Sequence, residues 1–144
     1  TGPTTNPQEE AKLFSEMVRL WKRCSIQLNG TCNANGIRYL HFLQPNQYVS
    51  NSKPMNESEF EIATLGSPSA PEFATAVTKG YPLLIQEGGD LPNHGVDFHD
   101  LTMLFAQTES AIYVDSCCHF NKSGNSMLAD AIAEAILARN PRTD

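Results

Sequence analysis

An acidic residue and a histidine lie close together in the segment YVDSCCHFNKSGNS, residues 113–126. Asp115 and His119 are two of the three residue types of a serine hydrolase triad, in which the histidine takes the nucleophile's proton and the acid orients the ring. Both follow a short apolar run, and α/β proteins build their sites at the carboxyl ends of strands. These residues alone leave two interpretations open: His119 is a catalytic base with Asp115 as its partner, or His119 is a surface-loop histidine and Asp115 caps the loop or the following helix.

Two adjacent cysteines in the same segment, Cys117 and Cys118, raise two alternatives. A thiolate beside a protonated histidine is an activated nucleophile, but side chains adjacent in sequence rarely align for proton transfer. A metal site would need a ligand spacing such as Cys-x-x-Cys, which the segment lacks. We therefore interpret the two cysteines as packed thiols or disulfide partners, and we expect no metal and no cofactor.

Composition limits the class of protein. The chain has 144 residues, 40% of them hydrophobic, which is enough for one domain with a modest core. The net charge is −6 and the ten basic residues are scattered, which argues against a nucleic-acid partner because phosphate recognition needs clustered Lys and Arg. No apolar stretch approaches the roughly 20 residues that a membrane-spanning helix requires.

Cysteines and glycosylation motifs favour a secreted or extracytoplasmic protein. Cys24 and Cys32 flank a short polar segment and could form a disulfide, a bond found mainly in oxidising compartments. Three Asn-x-Ser/Thr sequons mark Asn29, Asn56 and Asn121 as candidate glycosylation sites. The chain does not begin with Met, as expected of a processed protein, a trimmed chain or an interior fragment.

Hydrophobic periodicity predicts alternating helices and strands. A helix begins after the N-cap candidate Asn6 and ends before the segment NGTCNANG. The run IRYLHFLQPN predicts a buried strand that contains His41 as a hydrogen-bonded structural histidine. Residues 47–69 predict an excursion over the surface, with a short helix at SEFEIATL.

The second half of the chain continues the alternation. APEFATAVTKGYPLLIQEG predicts a helix that ends near Gly80 and a second short helix after Pro82. GVDFHDLTMLF predicts a short strand and then a turn from Asp100 into a brief helix. AIYVD predicts a final strand, and SGNSMLADAIAEAILAR predicts the last helix. Gly124, at the start of that helix, is expected to supply an unusual backbone angle.

This order predicts a three-layer α/β sandwich with a parallel sheet, as a single domain over residues 1–144. Only three strands are predicted, although a parallel sheet needs cover on both faces, so we expect that N-terminal strands are missing. Gln44 and Asn46, just past the first strand, could contact a substrate or stabilise a turn.

Three segments resemble SGNH (GDSL-type) esterases. YVDSCCHFNKSGNSMLADAIAEAI resembles the family's C-terminal signature, in which an Asp and a His follow the last strand and a Gly-Asn pair and an Ala-rich helix come next. YLHFLQPNQYVSNSKP and VDFHDLTMLF resemble upstream segments, so the resemblance runs from about Trp21 to Ile136. It implies an SGNH-hydrolase-like (flavodoxin-like) fold, an ester substrate such as an acylated carbohydrate or lipid, and catalytic roles for His119 and Asp115.

Two departures from the family pattern bear on function. The family spaces the pair as Asp-x-x-His, whereas one more residue separates Asp115 from His119 here. The family's Gly-Asp-Ser block and its oxyanion-hole Gly and Asn blocks are absent, and GGDL has Leu91 where a serine would stand. The chain therefore resembles the C-terminal part of such an enzyme, inactive alone, with the serine and oxyanion hole on an absent N-terminal half or a second chain. The alternative is a non-catalytic binding or structural subunit that retains the SGNH fold.

Overall fold

The architecture, in a computed structural model that describes residues 6–138, is mainly helical. In chain order the elements are α1 (Pro7–Ala34), β1 (Leu40–Leu43), α2 (Glu57–Leu65), α3 (Ala70–Gly89), a 3₁₀ helix (Leu91–His94), β2 (Asp97–Asp100) and α4 (Lys122–Ala138). Helices make up 59% of the structure, and the sheet formed within residues 6–138 has two strands. The prediction of a three-layer α/β sandwich, SGNH-hydrolase-like or flavodoxin-like, is therefore wrong. Within the described residues, every helix is too short or too polar to cross a bilayer.

The chain divides into two units. The first unit holds the described residues up to Gln44 together with Ala76–Asp100, and so contains α1, both strands and most of α3. The second unit holds Pro45–Thr75 and the described residues from Leu101 onward, and so contains α2 and α4. The loop with the predicted Asp–His pair belongs to the second unit.

Helix α1 begins where its sequence predicts, at a complete capping box. Asn6 Oδ1 accepts hydrogen bonds from the N–H groups of Gln8 and Glu9 at 2.9 and 3.0 Å. In return, the Asn6 N–H donates to the Glu9 carboxylate. Two of the N–H groups that lack a helical partner are thereby satisfied, which fixes the first turn.

Helix α1 does not end before NGTCNANG, as predicted, but runs through that segment. Asn29 is buried there, and its Nδ2 donates to the Gly95 carbonyl at 3.1 Å, a tertiary contact that outweighs the weak helix propensity of Asn and Gly. The helix ends later in a Schellman motif. Gly36 has a φ of 68°, and the Ile37 N–H donates to the Cys32 carbonyl at 2.9 Å.

Helix α3 is also longer than predicted, since it continues through Gly80 and Pro82. Pro82 removes one helical N–H, which normally kinks or ends a helix. Gly80 faces Phe14 of α1, whose ring would lie 3.6 Å from an added Cβ. Packing against α1 therefore supports one continuous helix at the point where the local signals predict two.

The sheet contains two of the three predicted strands. β1 pairs in parallel with β2, with Leu40 opposite Asp97 and Leu43 opposite Asp100. The third predicted strand, in AIYVD, is not formed, because its N–H groups at Ile112 and Tyr113 donate to a carboxylate oxygen of Glu59, at 2.6 and 2.9 Å. A side chain satisfies the donors that a neighbouring strand would otherwise bind.

His41 has the structural role that the sequence predicts. Its Nδ1 lies 2.6 Å from Ser25 Oγ, and its ring packs edge-on against Trp21 with the ring centroids 4.7 Å apart. Burial lowers the pKa of His41, so the ring is neutral at pH 7. The imidazole therefore ties α1 to β1 inside the first unit without introducing a charge.

The core of the second unit is aromatic. Phe105, Ile112 and Tyr113 are buried, and Phe120 packs edge-on against Phe105 with the ring centroids 5.1 Å apart. Gly124 of α4 meets this core, where an added Cβ would lie 2.6 Å from Ile112 Cγ2. Its φ is not in the left-handed region, so the predicted unusual backbone angle is wrong, and the position instead requires the absence of a side chain.

Candidate functional site

Asp115 and His119 lie on one tight loop of the second unit. Tyr113 and Phe120 form an antiparallel bridge at the base of the loop. Next to the bridge, the Val114 N–H donates to the His119 carbonyl at 3.1 Å. The loop therefore closes like a hairpin and brings the two predicted side chains together.

Cys118 accommodates the additional residue between Asp115 and His119. Its φ is 64°, in the left-handed region that residues other than glycine rarely adopt. Strained backbone of this kind persists only where the surrounding structure fixes it, and it occurs often at functional sites. The turn at Cys118 lets the Asp–His pair meet across a spacing one residue longer than the family pattern.

The Asp115 carboxylate binds both the histidine ring and the backbone of its own loop. Oδ2 lies 2.5 Å from His119 Nδ1. Oδ1 accepts from the N–H groups of Cys117, at 2.8 Å, and His119, at 3.3 Å. Because an ionised carboxylate can only accept, Nδ1 carries the proton, and in the neutral form of the ring Nε2 keeps its lone pair. A general base requires this tautomer.

Electrostatics keep the acid ionised. Burial alone raises the pKa of Asp115, but hydrogen bonds from the His119 ring and from the N–H groups of Cys117 and His119 outweigh it and hold the pKa below its ordinary value. The His119 side chain is 70% exposed and the Asp115 side chain 42% exposed. The ring is therefore oriented from one side and open to another molecule on the other.

No hydroxyl or thiol within residues 6–138 is hydrogen-bonded to the His119 ring. Within residues 6–138, Asp115 is the only side chain that forms a hydrogen bond with the His119 ring. Ser116, the nearest serine in sequence, is buried. Nor does that part of the chain contain a group of three or more His, Cys, Asp or Glu side chains that could hold a metal ion. The loop presents an acid and a base without a hydroxyl or thiol bonded to the base.

Two residues that the sequence analysis missed hold the loop in place. Gln47 Nε2 donates to the Asp115 carbonyl at 3.2 Å, and Tyr48 Oη donates to the Ser116 carbonyl at 3.0 Å. Burial, followed by the negative charges of the loop, raises the pKa of Tyr48, so the phenol remains a donor at neutral pH. In the sequence, the one signal that could have indicated Gln47 and Tyr48 is their position beside Asn46 in QPNQY.

Lys53 and Glu59 form a buried ion pair. Lys53 lies between β1 and α2, and Glu59 lies in α2. Lys53 and Glu59 have side chains with 0% exposure, and Lys53 Nζ lies 2.9 Å from Glu59 Oε2. This contact is poorly aligned for a hydrogen bond, but its length is that of a close ion pair. Lys53 Nζ also donates to the carbonyls of Pro54 and Thr108, both at 2.9 Å. Two carbonyl acceptors and one opposite charge thus surround the buried ammonium.

The same ion pair positions the loop that carries Asp115 and His119. Glu59 Oε1 accepts the N–H groups of Ile112 and Tyr113, and Tyr113 is two residues before Asp115. The sequence predicted a surface excursion over residues 47–69, yet both charged side chains of the pair lie buried within that range. Composition contains no signal for this, because Lys and Glu are among the residues least often buried.

Gln44 and Asn46, the two candidate substrate-binding residues, lie outside the loop that carries Asp115 and His119. Gln44 belongs to the first unit, where its backbone carbonyl accepts from Tyr81 Oη at 3.4 Å. Asn46 is 6% exposed, its Oδ1 accepts the Tyr48 N–H at 3.0 Å, and its carbonyl accepts from Ser52 Oγ at 2.9 Å. Asn46 therefore stabilises the turn that follows β1.

The possible disulfide between Cys24 and Cys32 is not formed, and neither Cys117 nor Cys118 takes part in a disulfide. Cys24 and Cys32 both lie on α1, eight residues apart, so about 12 Å of helical rise separates them. Disulfide-bonded Cα atoms are only about 4.4–6.8 Å apart. A disulfide between Cys24 and Cys32 would have required α1 to end before NGTCNANG.

The three sequon asparagines differ in accessibility. Asn29 is buried in α1. Asn121 Oδ1 accepts the Gly124 N–H at 3.0 Å and caps α4. Asn56 is exposed, although its side chain caps α2 by accepting the Glu59 N–H at 2.8 Å. Asn56 is therefore the sequon most accessible to a glycan.

Comparison of this chain with protein-family models, with curated proteins and with solved structures found no match.

We expect Glu59→Gln to lower the free energy of unfolding by about 3–5 kcal/mol, because the neutral amide leaves the Lys53 ammonium buried without an opposite charge. Urea denaturation followed by circular dichroism measures the change. Glu57→Gln, at an exposed position in the first turn of the same helix, is the matched control and should change stability by less than about 0.5 kcal/mol. Equal, small effects of the two substitutions would contradict the role of the ion pair.

The Asp115 carboxyl should titrate below the ordinary value of 3.8, as measured by carbon NMR of the side chain. Because its pKa is depressed in the folded state, the stabilisation is complete above the unfolded value and is lost as pH falls through the folded pKa. His119→Ala removes the ring hydrogen bond and should raise the midpoint, whereas His94→Ala in the first unit should not. A midpoint at or above 3.8 in the unmodified chain would show that the hydrogen bonds do not outweigh burial.

Proposed function

We propose that this chain supplies the acid and the base of a serine ester hydrolase of the SGNH type. The observation that carries the proposal is the 2.5 Å contact between Asp115 Oδ2 and His119 Nδ1, on a loop where the ring is 70% exposed. The resemblance of the surrounding sequence to SGNH esterases supports the same two roles.

In this proposal, His119 Nε2 accepts the proton of a serine hydroxyl as the serine oxygen attacks the ester carbonyl. The imidazolium that forms keeps its Nδ1 hydrogen bond to the ionised Asp115 carboxylate, which stabilises the positive charge. The ring then returns the proton to the leaving alkoxide. Water then attacks the acyl-serine by the same steps: His119 takes a proton from the water and returns it to the serine oxygen. The carboxylic acid product and the free serine are released.

The serine and the oxyanion donors come, in this proposal, from a polypeptide outside this sequence, either an N-terminal half or a second chain. Two observations support this: the Gly-Asp-Ser block is absent from the sequence, and no serine hydroxyl within residues 6–138 is bonded to the His119 ring. The chain alone is then inactive as an esterase. The substrate is an acyl ester, with acylated carbohydrates and lipids as the classes that the family resemblance implies.

One observation favours a second candidate function, a non-catalytic binding or structural subunit. An exposed imidazole whose single side-chain partner within residues 6–138 is Asp115 can bind a ligand through Nε2 without any proton transfer. In that case the acid fixes the tautomer for recognition and not for catalysis. The two functions differ in whether a serine approaches Nε2.

The test of the first function is hydrolysis of p-nitrophenyl acetate by the chain in complex with the serine-bearing polypeptide, which a fluorophosphonate probe identifies in native material. We expect His119→Ala to lower kcat by about 10³-fold or more, because the nucleophile loses its base. His94→Ala is the matched control, since His94 also pairs with an aspartate four residues earlier, Asp90, at 3.1 Å in the first unit.

Turnover by the complex that is unchanged in His119→Ala would contradict the proposed catalytic role. A native complex without turnover and without any fluorophosphonate-reactive polypeptide would favour the non-catalytic subunit instead.

A further inference from the structure

Helix α1 carries a second apolar face beside the one that packs within the first unit. Its packed face includes Phe14, Val18 and Trp21, which line one apolar cavity that Met17, at the border between the two faces, also lines. The outward face, which we call the α1 stripe, consists of Leu13, Met17, Leu20, Cys24 and Leu28. The four large side chains of the stripe are 51–60% exposed, and Cys24 is exposed as well. A continuous row of this kind on a surface helix marks an interaction site more often than scattered apolar residues do.

The spacing of the stripe is that of a coiled coil. Steps of four and three residues separate Leu13, Met17, Leu20 and Cys24, which is the alternation of d and a positions in a heptad repeat. Such a seam packs best against another helix of the same pattern. The stripe therefore fits a helical partner better than a flat surface.

We propose that the α1 stripe binds a second copy of this chain, with the two α1 helices antiparallel and related by a two-fold axis. In this register Leu13 of one copy packs on Cys24 of the other, and Met17 packs on Leu20. The contact is self-complementary, since each layer occurs twice, as in other two-fold interfaces.

Charges beside the stripe support a second copy and select the antiparallel direction. Glu16 and Arg23 occupy the g positions at one edge of the stripe, and g positions face each other in an antiparallel pair. The register that pairs Leu13 with Cys24 also places Glu16 of one copy beside Arg23 of the other, twice per dimer. A parallel pair would instead set these charges against the e positions, one of which is Trp21, a residue already packed in the first unit.

Both charged side chains are available for this contact. Glu16 has one exposed pairing along the helix, with Lys12 at 3.9 Å, and exposed pairs of that length are weak. Arg23 is exposed and has no ion pair within residues 6–138. In the dimer, Glu16 and Arg23 each lie beside an opposite charge at the edge of the apolar α1 stripe.

The length of the stripe sets the expected affinity. From Leu13 to Leu28 the helix rises about 22 Å. Two helices in contact over that length bury less than the roughly 800 Å² per partner of a standard interface, so we expect a weak dimer with a Kd on the order of 10 µM.

Sedimentation velocity of the full chain, from about 1 to 200 µM, tests the dimer. We expect Glu16→Arg to raise Kd at least about tenfold, because like charges then face each other at both g contacts, and Glu16→Arg/Arg23→Glu to restore it. Arg19→Glu, an exposed charge reversal on the opposite side of α1, is the control and should leave Kd unchanged. A chain that remains monomeric at every concentration would overturn the proposal and assign the stripe to a different polypeptide.

Cross-linking tests the direction of the helices independently. In a background in which Cys32, Cys117 and Cys118 are replaced by Ser, Leu13→Cys should form disulfide-linked dimers with Cys24 of the second copy under mild oxidation. Adding Cys24→Ser should abolish the cross-link. Cross-linking that persists without Cys24 would show a parallel pair and overturn the proposed register.

Discussion

The second unit depends on the buried ion pair between Lys53 and Glu59. Removing two charges from water is costly, and the cost is offset only where every donor and acceptor finds a partner. Lys53 Nζ donates to two carbonyls and lies 2.9 Å from one carboxylate oxygen of Glu59, and the other oxygen of Glu59 accepts from two backbone N–H groups, those of Ile112 and Tyr113. The pair thus does more than neutralise charge, because it replaces the neighbouring strand that the apolar run before Asp115 would otherwise need.

The position of the Asp–His loop follows from that constraint. Its base is fixed by Glu59 and by the bridge between Tyr113 and Phe120, and its tip is held by two further donors, Gln47 and Tyr48. Within this frame the Asp115 carboxylate binds its own loop and the histidine ring at once. The ring is therefore pre-oriented before any substrate arrives, which is the condition for efficient proton transfer.

Local signals in the sequence predicted what depends on neighbours along the chain. The N-cap at Asn6, the positions of the two strands, the last helix and the closeness of Asp115 to His119 are all of this kind. Tertiary contacts decided the rest: Asn29 bonds to Gly95 and carries α1 through a segment of helix breakers, and Phe14 packs where α3 was expected to end. The parallel sandwich failed as a prediction for the same reason, since no pattern in AIYVD indicates that a carboxylate more than 50 residues earlier satisfies its N–H groups. Long-range pairs of polar residues leave no periodic trace in a single sequence.

The protonation of the His119 ring connects the fold to the proposed chemistry. Long-range proton–nitrogen NMR correlations of the imidazole distinguish its two neutral tautomers in the intact chain. We predict that the Nδ1–H tautomer dominates at a pH above the titration of the ring, and that Asp115→Ala shifts the population toward Nε2–H. A ring that already holds its proton on Nε2 in the unmodified chain would contradict the role of His119 as an oriented base.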